Sequence, residues 1–173
     1  MEIVNIVATG VLNYDELDIT ELYDDLDDEI SRLKPGRLDI QYGDETPLIM
    51  IYPAGTYTIP GATSREELQQ VREKFINHLV EVTKGELSES SFSIKYMVFM
   101  HDLGEEIDLE ALAIQLGFEN VEYEPEQFAG LIYRTDNPSG VVLIFSSGKI
   151  LFTGFEGKEE AETVKDQLMD QLL

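Results

Sequence analysis

Apolar and polar positions along this chain follow two rhythms, one strand-like and one helix-like, and the same succession of rhythms occurs twice. Residues Ile3 to Thr9 and Phe92 to Met100 are rich in β-forming side chains, which predicts a strand at the start of each occurrence. Helical spacing follows, at Leu22, Leu26 and Ile30 in the first and at Leu109, Leu112, Ala113 and Leu116 in the second. Next come β-rich segments separated by Gly, Pro, Asn or Asp: Ile40 to Tyr42, Leu48 to Tyr52 and Thr56 to Ile59, then Leu131 to Thr135, Val141 to Ser146 and Lys149 to Thr153. Those breakers predict hairpins. A longer amphipathic helix closes each occurrence. In the first, Ser64-Arg65-Glu66-Glu67 has the form of a capping box and Leu68, Val71, Phe75, Leu79 and Val82 form the apolar stripe; in the second the stripe is Ala161, Val164, Leu168 and Leu172.

The two occurrences align as an internal repeat. Glu16 to Leu22 runs parallel to Glu106 to Leu112, and Pro35 falls opposite Pro125, an offset of 90 residues; Gly55 matches Gly148 and Gly61 matches Gly154, an offset of 93. A longer connection in the second copy separates the two sets of landmarks. The expected organisation is one α+β domain over residues 1–173, with a first repeat at 1–88 and a second at 89–173.

In Val141-Val142-Leu143-Ile144-Phe145 both faces of the predicted strand are apolar, yet an antiparallel sheet with helices after its hairpins covers only one face. Two readings of the other face stay open: burial against further helices or a self-associating partner, and a binding surface.

The charge balance is strongly acidic. The chain has 12 Lys+Arg against 35 Asp+Glu, a formal net charge of −23, which opposes nonspecific attraction to any polyanion. Such an excess also suits solubility in concentrated salt, where screening mutes the repulsion. With no cysteine there is no thiolate chemistry or Cys-based metal site. Neither a basic leader before an apolar run nor a bilayer-length apolar stretch is present, so a cytoplasmic protein is the simplest expectation.

The run Tyr123-Glu124-Pro125-Glu126-Gln127-Phe128-Ala129-Gly130-Leu131-Ile132-Tyr133-Arg134, with Leu143-Ile144-Phe145-Ser146-Ser147-Gly148-Lys149 and Thr153-Gly154, closely resembles the second repeat of TATA-binding proteins, above all archaeal ones. Val4-Asn5-Ile6-Val7-Ala8-Thr9 resembles the start of their first repeat. The resemblance implies a saddle: one curved antiparallel sheet with helices on its convex face and a concave face seated on the minor groove. The family is itself the reference case of minor-groove binding with apolar wedges. Phe128 and Phe145 fall on wedge positions. Val7, Val98 and Leu143 would touch the groove floor, and Asn5 and Thr153 would hydrogen-bond groove acceptors, where A·T and T·A look alike. Arg134 and Lys149 would meet phosphates. Glu124, Glu126 and Gln127 match the stirrup that engages transcription factor B, and carboxylates there suit a basic partner.

Departures concentrate in the first repeat. Leu38 and Tyr52 stand at its two wedge positions, Thr56 replaces a lysine and Pro60 a threonine, while in the second repeat Tyr96 replaces an asparagine. The leading expectation is therefore a transcription initiation factor that binds and bends A·T-rich double-stranded promoter DNA, in a salt-dependent way, and recruits transcription factor B. The alternative is an interaction protein of the same fold that binds transcription factor B or another protein with weak or no promoter binding; pairing of two copies through the saddle also stays open. No enzyme activity, cofactor or metal is expected.

Other constellations are weaker. Ser146-Ser147-Gly148-Lys149 lacks the spacing of a phosphate loop and leads into a strand. His101 beside Asp102, Glu105 and Glu106, and His78 in a helix, read as surface histidines rather than metal ligands. Asp24 to Glu29 and Glu156 to Glu162 read as solvated helix faces, not calcium loops.

Overall fold

In the computed structural model, which describes residues 1–172, the chain clusters into two compact units, Asn5–Lys95 and Met1–Val4 with Tyr96–Leu173. Two long strands, β1 (Glu2–Leu12) and β6 (Glu89–Asp102), contribute a part to each. All the paired strands described below run antiparallel.

The N-terminal unit holds α1 (Ile19–Asp25), β2 (Ser31–Lys34), β3 (Arg37–Ile40), β4 (Ile49–Ile51), β5 (Thr56–Ala62) and α2 (Arg65–Val82), with strand order β2-β3-β4-β5-β1-β6. The C-terminal unit holds α3 (Leu109–Leu116), β7 (Val121–Glu122), β8 (Leu131–Asp136), β9 (Ser139–Ile144), β10 (Lys149–Thr153) and α4 (Lys158–Leu172), ordered β1-β6-β10-β9-β8-β7. Each unit thus repeats the plan strand, short helix, hairpins, long helix.

Period-two alternation gives each sheet one covered face. In the N-terminal unit, Ile6, Ala8, Leu38, Ile40, Ile49, Ile51, Tyr57 and Ile59 are buried with Leu68, Val71, Phe75 and Leu79 of α2, and the Tyr57 and Phe75 rings meet edge to face at 4.9 Å. In the C-terminal unit, Phe99, Leu131, Val142, Ile144, Ile150 and Phe152 are buried with Leu112 of α3 and Ala161, Val164 and Leu168 of α4. Burial of such stripes is the main stabilising term in each unit.

Four elements differ from the sequence reading. Helix α1 stops at Asp25, and Leu26 caps it in an extended conformation, so Ile30 lies outside it. Strand β3 ends at Ile40, leaving Gln41 and Tyr42 in a loop that closes at β4. Strands β2 and β7 were not anticipated.

Candidate functional site

Strand registers assemble the uncovered face of the C-terminal unit. Thr153 lies opposite Val98 and Val141, Leu151 opposite Met100 and Leu143, and Ile132 opposite Leu143. Cross-strand partners share a face, so these side chains form one surface opposite the helix-packed one. All are half-buried, whereas Val142, Ile144, Ile150 and Phe152 beside them are fully buried. The doubly apolar strand therefore has one face in the core and one left partly open to solvent.

Two rings close one end of this surface. Phe128 is 39% exposed and meets Phe145 edge to face, with centroids 5.8 Å apart. The loop before β8 aims Phe128 through a turn in which the Glu124 carbonyl accepts from the N–H groups of Gln127 (2.9 Å) and Phe128 (3.0 Å). Gly130 makes room for the pair, since a Cβ there would lie 2.8 Å from Phe128 Cε1 and 3.0 Å from Phe145 Cε1. Glu124, Glu126 and Gln127 are exposed on the same loop. At the rim, Arg134 pairs with Glu122 at 3.1 Å, Lys149 is exposed opposite Asp102, and Tyr96 is 41% exposed.

The corresponding face of the N-terminal unit is more polar, although Met50 and the exposed Val11 belong to it. The row Thr9, Thr58, Met50, Asp39, Arg32 runs across β1, β5, β4, β3 and β2 in register. Asn5 Oδ1 accepts from the Gly61 N–H at 2.9 Å, which fixes the amide so that its NH₂ group remains available as a donor. Val7 is buried and offers little surface to a ligand. Tyr52 is half-buried, with its hydroxyl 3.8 Å from Met50 Sδ.

Leu38 requires a correction. It is fully buried among the core residues of its unit and cannot act as a wedge. Leu38 stands opposite Ile51 as Leu131 stands opposite Ile144, so its counterpart is Leu131, not Phe128. The shortening between the repeats falls inside the β2–β3 turn, where Pro35-Gly36 replaces the loop that carries Phe128. Arg37, just before Leu38, takes the place of Gly130 and donates to both oxygens of Asp39 (Nε to Oδ1 2.8 Å, Nη2 to Oδ2 3.2 Å). Sequence reasoning also missed Gly130, Met100, Ile132 and Leu151. The larger offset, carried back one strand from Gly55 and Gly148, would have aligned Leu38 with Leu131.

Among the described residues no three His, Cys, Asp or Glu side chains group as metal ligands, and no helix is long and apolar enough to cross a membrane. The family described as "Transcription factor TFIID (or TATA-binding protein, TBP)" matches residues 1–82 and 91–173. TATA-box-binding protein C of Halobacterium salinarum is 36% identical, covering 99% of this chain and 97% of the relative. The TATA-box-binding protein of Archaeoglobus fulgidus is 32% identical, covering 99% and 94%. Among solved structures, Methanococcus jannaschii TBP superposes with a TM-score of 0.78 at 32% identity, covering 99% of this chain and 97% of that one.

Proposed function

Because the chain belongs to the TATA-binding-protein family, whose members act by binding and not by catalysis, we propose that it is a transcription initiation factor that binds A·T-rich promoter DNA in the minor groove and recruits transcription factor B. One observation carries this reading: the Phe128–Phe145 pair stands over Gly130 at the end of a half-open apolar face. An aromatic pair so placed can enter a base step and hold it unstacked, while Val98 and Leu143 follow the groove floor. The Asn5 NH₂ group and the Thr153 hydroxyl suit the acceptors that A·T pairs present there. Arg134 and Lys149 are the phosphate contacts, with Arg134 exchanging Glu122 for a phosphate. The exposed Glu124, Glu126 and Gln127 form the transcription factor B site. Action at promoters fits a cytoplasmic protein of a cell without a nucleus.

With a formal charge of −23, the protein repels DNA at low ionic strength. Binding is therefore expected to strengthen toward molar salt, against the usual counterion-release trend.

The second reading, a regulator that keeps the transcription factor B site without promoter binding, is favoured by the exposed Tyr96 and by the missing wedge in the N-terminal unit. Self-association through the apolar face would compete with DNA.

Fluorescence anisotropy in molar KCl decides between them, using A·T-rich and G·C-rich duplexes with and without transcription factor B. The proposal expects preference for the A·T duplex and a loss of about tenfold or more in Phe128→Ala and Phe145→Ala, since aromatic–base stacking contributes about 1–3 kcal/mol. Transcription factor B binding without any duplex binding would establish the regulator instead. A dimer that duplex cannot dissociate would point to self-association.

A further inference from the structure

We propose that this chain unstacks its DNA at a single step, through the ring pair of the C-terminal unit, and that the N-terminal unit meets the phosphate backbone through Lys34 and Arg37 where a second wedge would stand. The inference rests on the promoter-binding reading and adds an asymmetry to it.

The two repeats differ most where the wedge is carried. In the C-terminal unit a loop between β7 and β8 presents Phe128, and Gly130 leaves room for it against Phe145. In the N-terminal unit β2 and β3 continue in register to Lys34 opposite Arg37, closed by Pro35-Gly36 with Gly36 at φ +76°. This is a type II turn, with proline at its first central position and glycine where φ must be positive. So short a turn has no room for a presented ring. The alternation of β3 sends Leu38 into the core and puts Arg37 and Asp39 on the open face. The guanidinium of Arg37, held by Asp39, occupies the side of the strand that is bare at Gly130.

Charge gives that hairpin its partner. Lys34 and Arg37 face each other across the strands, and like charges directly opposite repel. Arg32 lies on the same face, opposite Asp39. Arg32 and Lys34 are exposed and make no ion pair among the described residues. In a chain with only 12 cationic side chains, three gather on this hairpin. A phosphate oxygen between Lys34 and Arg37 would relieve their repulsion and give two charge-assisted hydrogen bonds. Glu29, Asp39 and Asp44 border the same hollow as Arg32 and Lys34, and Asp39 already holds Arg37, so the interaction is expected only where salt screens those carboxylates.

The test uses the full chain in molar KCl with A·T-rich duplexes carrying 2-aminopurine at successive positions, and with end-labelled duplexes reporting bend by energy transfer. The expected result is one cluster of brightened positions, abolished with the bend in Phe128→Ala/Phe145→Ala. Lys34→Ala/Arg37→Ala should weaken binding and shift the slope of log affinity against log salt by about 0.9 for each phosphate no longer neutralised, while saturated complexes keep the brightening. Circular dichroism confirms that each variant is folded. Two separated brightened steps, or a step that disappears in Tyr52→Ala, would overturn the single wedge. Unchanged affinity and slope in Lys34→Ala/Arg37→Ala would overturn the role of this hairpin at the phosphate backbone. Failure to bind any duplex would remove the promoter reading and this inference with it, whereas binding with two unstacked steps would remove only this inference.

Discussion

Glu89 shows how single residues set the stability of the N-terminal unit. Its carboxylate accepts from the Tyr57 hydroxyl and from Arg72, whose guanidinium lies 4.1 Å from the centre of the Phe92 ring. Burial alone would raise the Glu89 pKa, but the hydrogen bonds from Arg72 and Tyr57 and the Arg72 charge outweigh it and hold the carboxyl below its ordinary range. Burial, and then Glu89 itself, pushes Tyr57 up, which keeps its hydroxyl a donor. A folded-state pKa below the unfolded value stabilises above the unfolded pKa, near 4.3, and that contribution fades as pH falls through the folded value. Glu89→Gln is therefore expected to cost about 1.5–3 kcal/mol at pH 7, the scale of hydrogen bonds to a charged group. It should also flatten the decline in urea stability below about pH 4. At Gly130 an added methyl would meet the ends of two rings, at 2.8 Å and 3.0 Å, and the Ile144 carbonyl oxygen at 3.2 Å. Gly130→Ala should lower the urea midpoint, since the rings can yield but the strand carbonyl of Ile144 cannot, and should reduce A·T-duplex affinity severalfold in the anisotropy assay by displacing the pair.

Local signals of two kinds decided which elements could be read from the sequence. Helix α2 was legible because its cap is chemical: Ser64 Oγ accepts from the Glu67 N–H at 3.0 Å, and the Glu67 carboxylate accepts from the Thr63 N–H at 2.7 Å. Ser64→Ala should cost about 1 kcal/mol in urea denaturation, and Ser64→Asp should restore most of it. Helix α1 was overextended because Leu22, Leu26 and Ile30 keep helical spacing while the backbone does not. Asp24 and Asp25 place negative charge at the negative end of the helix dipole, and the Asp27 side chain accepts from the Glu29 N–H instead, holding a turn. Strands β2 and β7 are short edges whose charged residues, Arg32, Lys34 and Glu122, hide the alternation that marks a strand. The candidate site divides the same way. Phe128, Phe145, Leu143 and Thr153 sit in motifs that a sequence displays, whereas the burial of Leu38 follows from a pairing register that the sequence marks only indirectly, through the 93-residue offset of Gly55 and Gly148.

At the scale of the whole molecule, 35 acidic side chains against 12 basic ones cannot be neutralised by pairing. The ion pairs Arg134–Glu122 and Lys158–Glu162 are exposed on both sides, and such pairs contribute little. Self-repulsion then opposes folding, and its range is the Debye length, about 10 Å at 0.1 M and about 3 Å at 1 M salt. Thermal unfolding followed by circular dichroism should accordingly show a midpoint that climbs steeply with KCl at low concentration. Screening by itself levels off once the Debye length falls below the spacing of neighbouring carboxylates, so a continued rise in molar salt would mean that hydrated cations are held at the surface. The run Asp24-Asp25-Leu26-Asp27-Asp28-Glu29 separates these contributions. Converting its four aspartates to asparagine keeps the side-chain oxygen that accepts from the Glu29 N–H, yet removes four charges. If repulsion limits stability, the variant should reach its plateau at lower KCl than the parent chain. Loss of the molar-salt rise alone would show that these carboxylates act through the ions they hold, and identical salt profiles would show that this run contributes through neither.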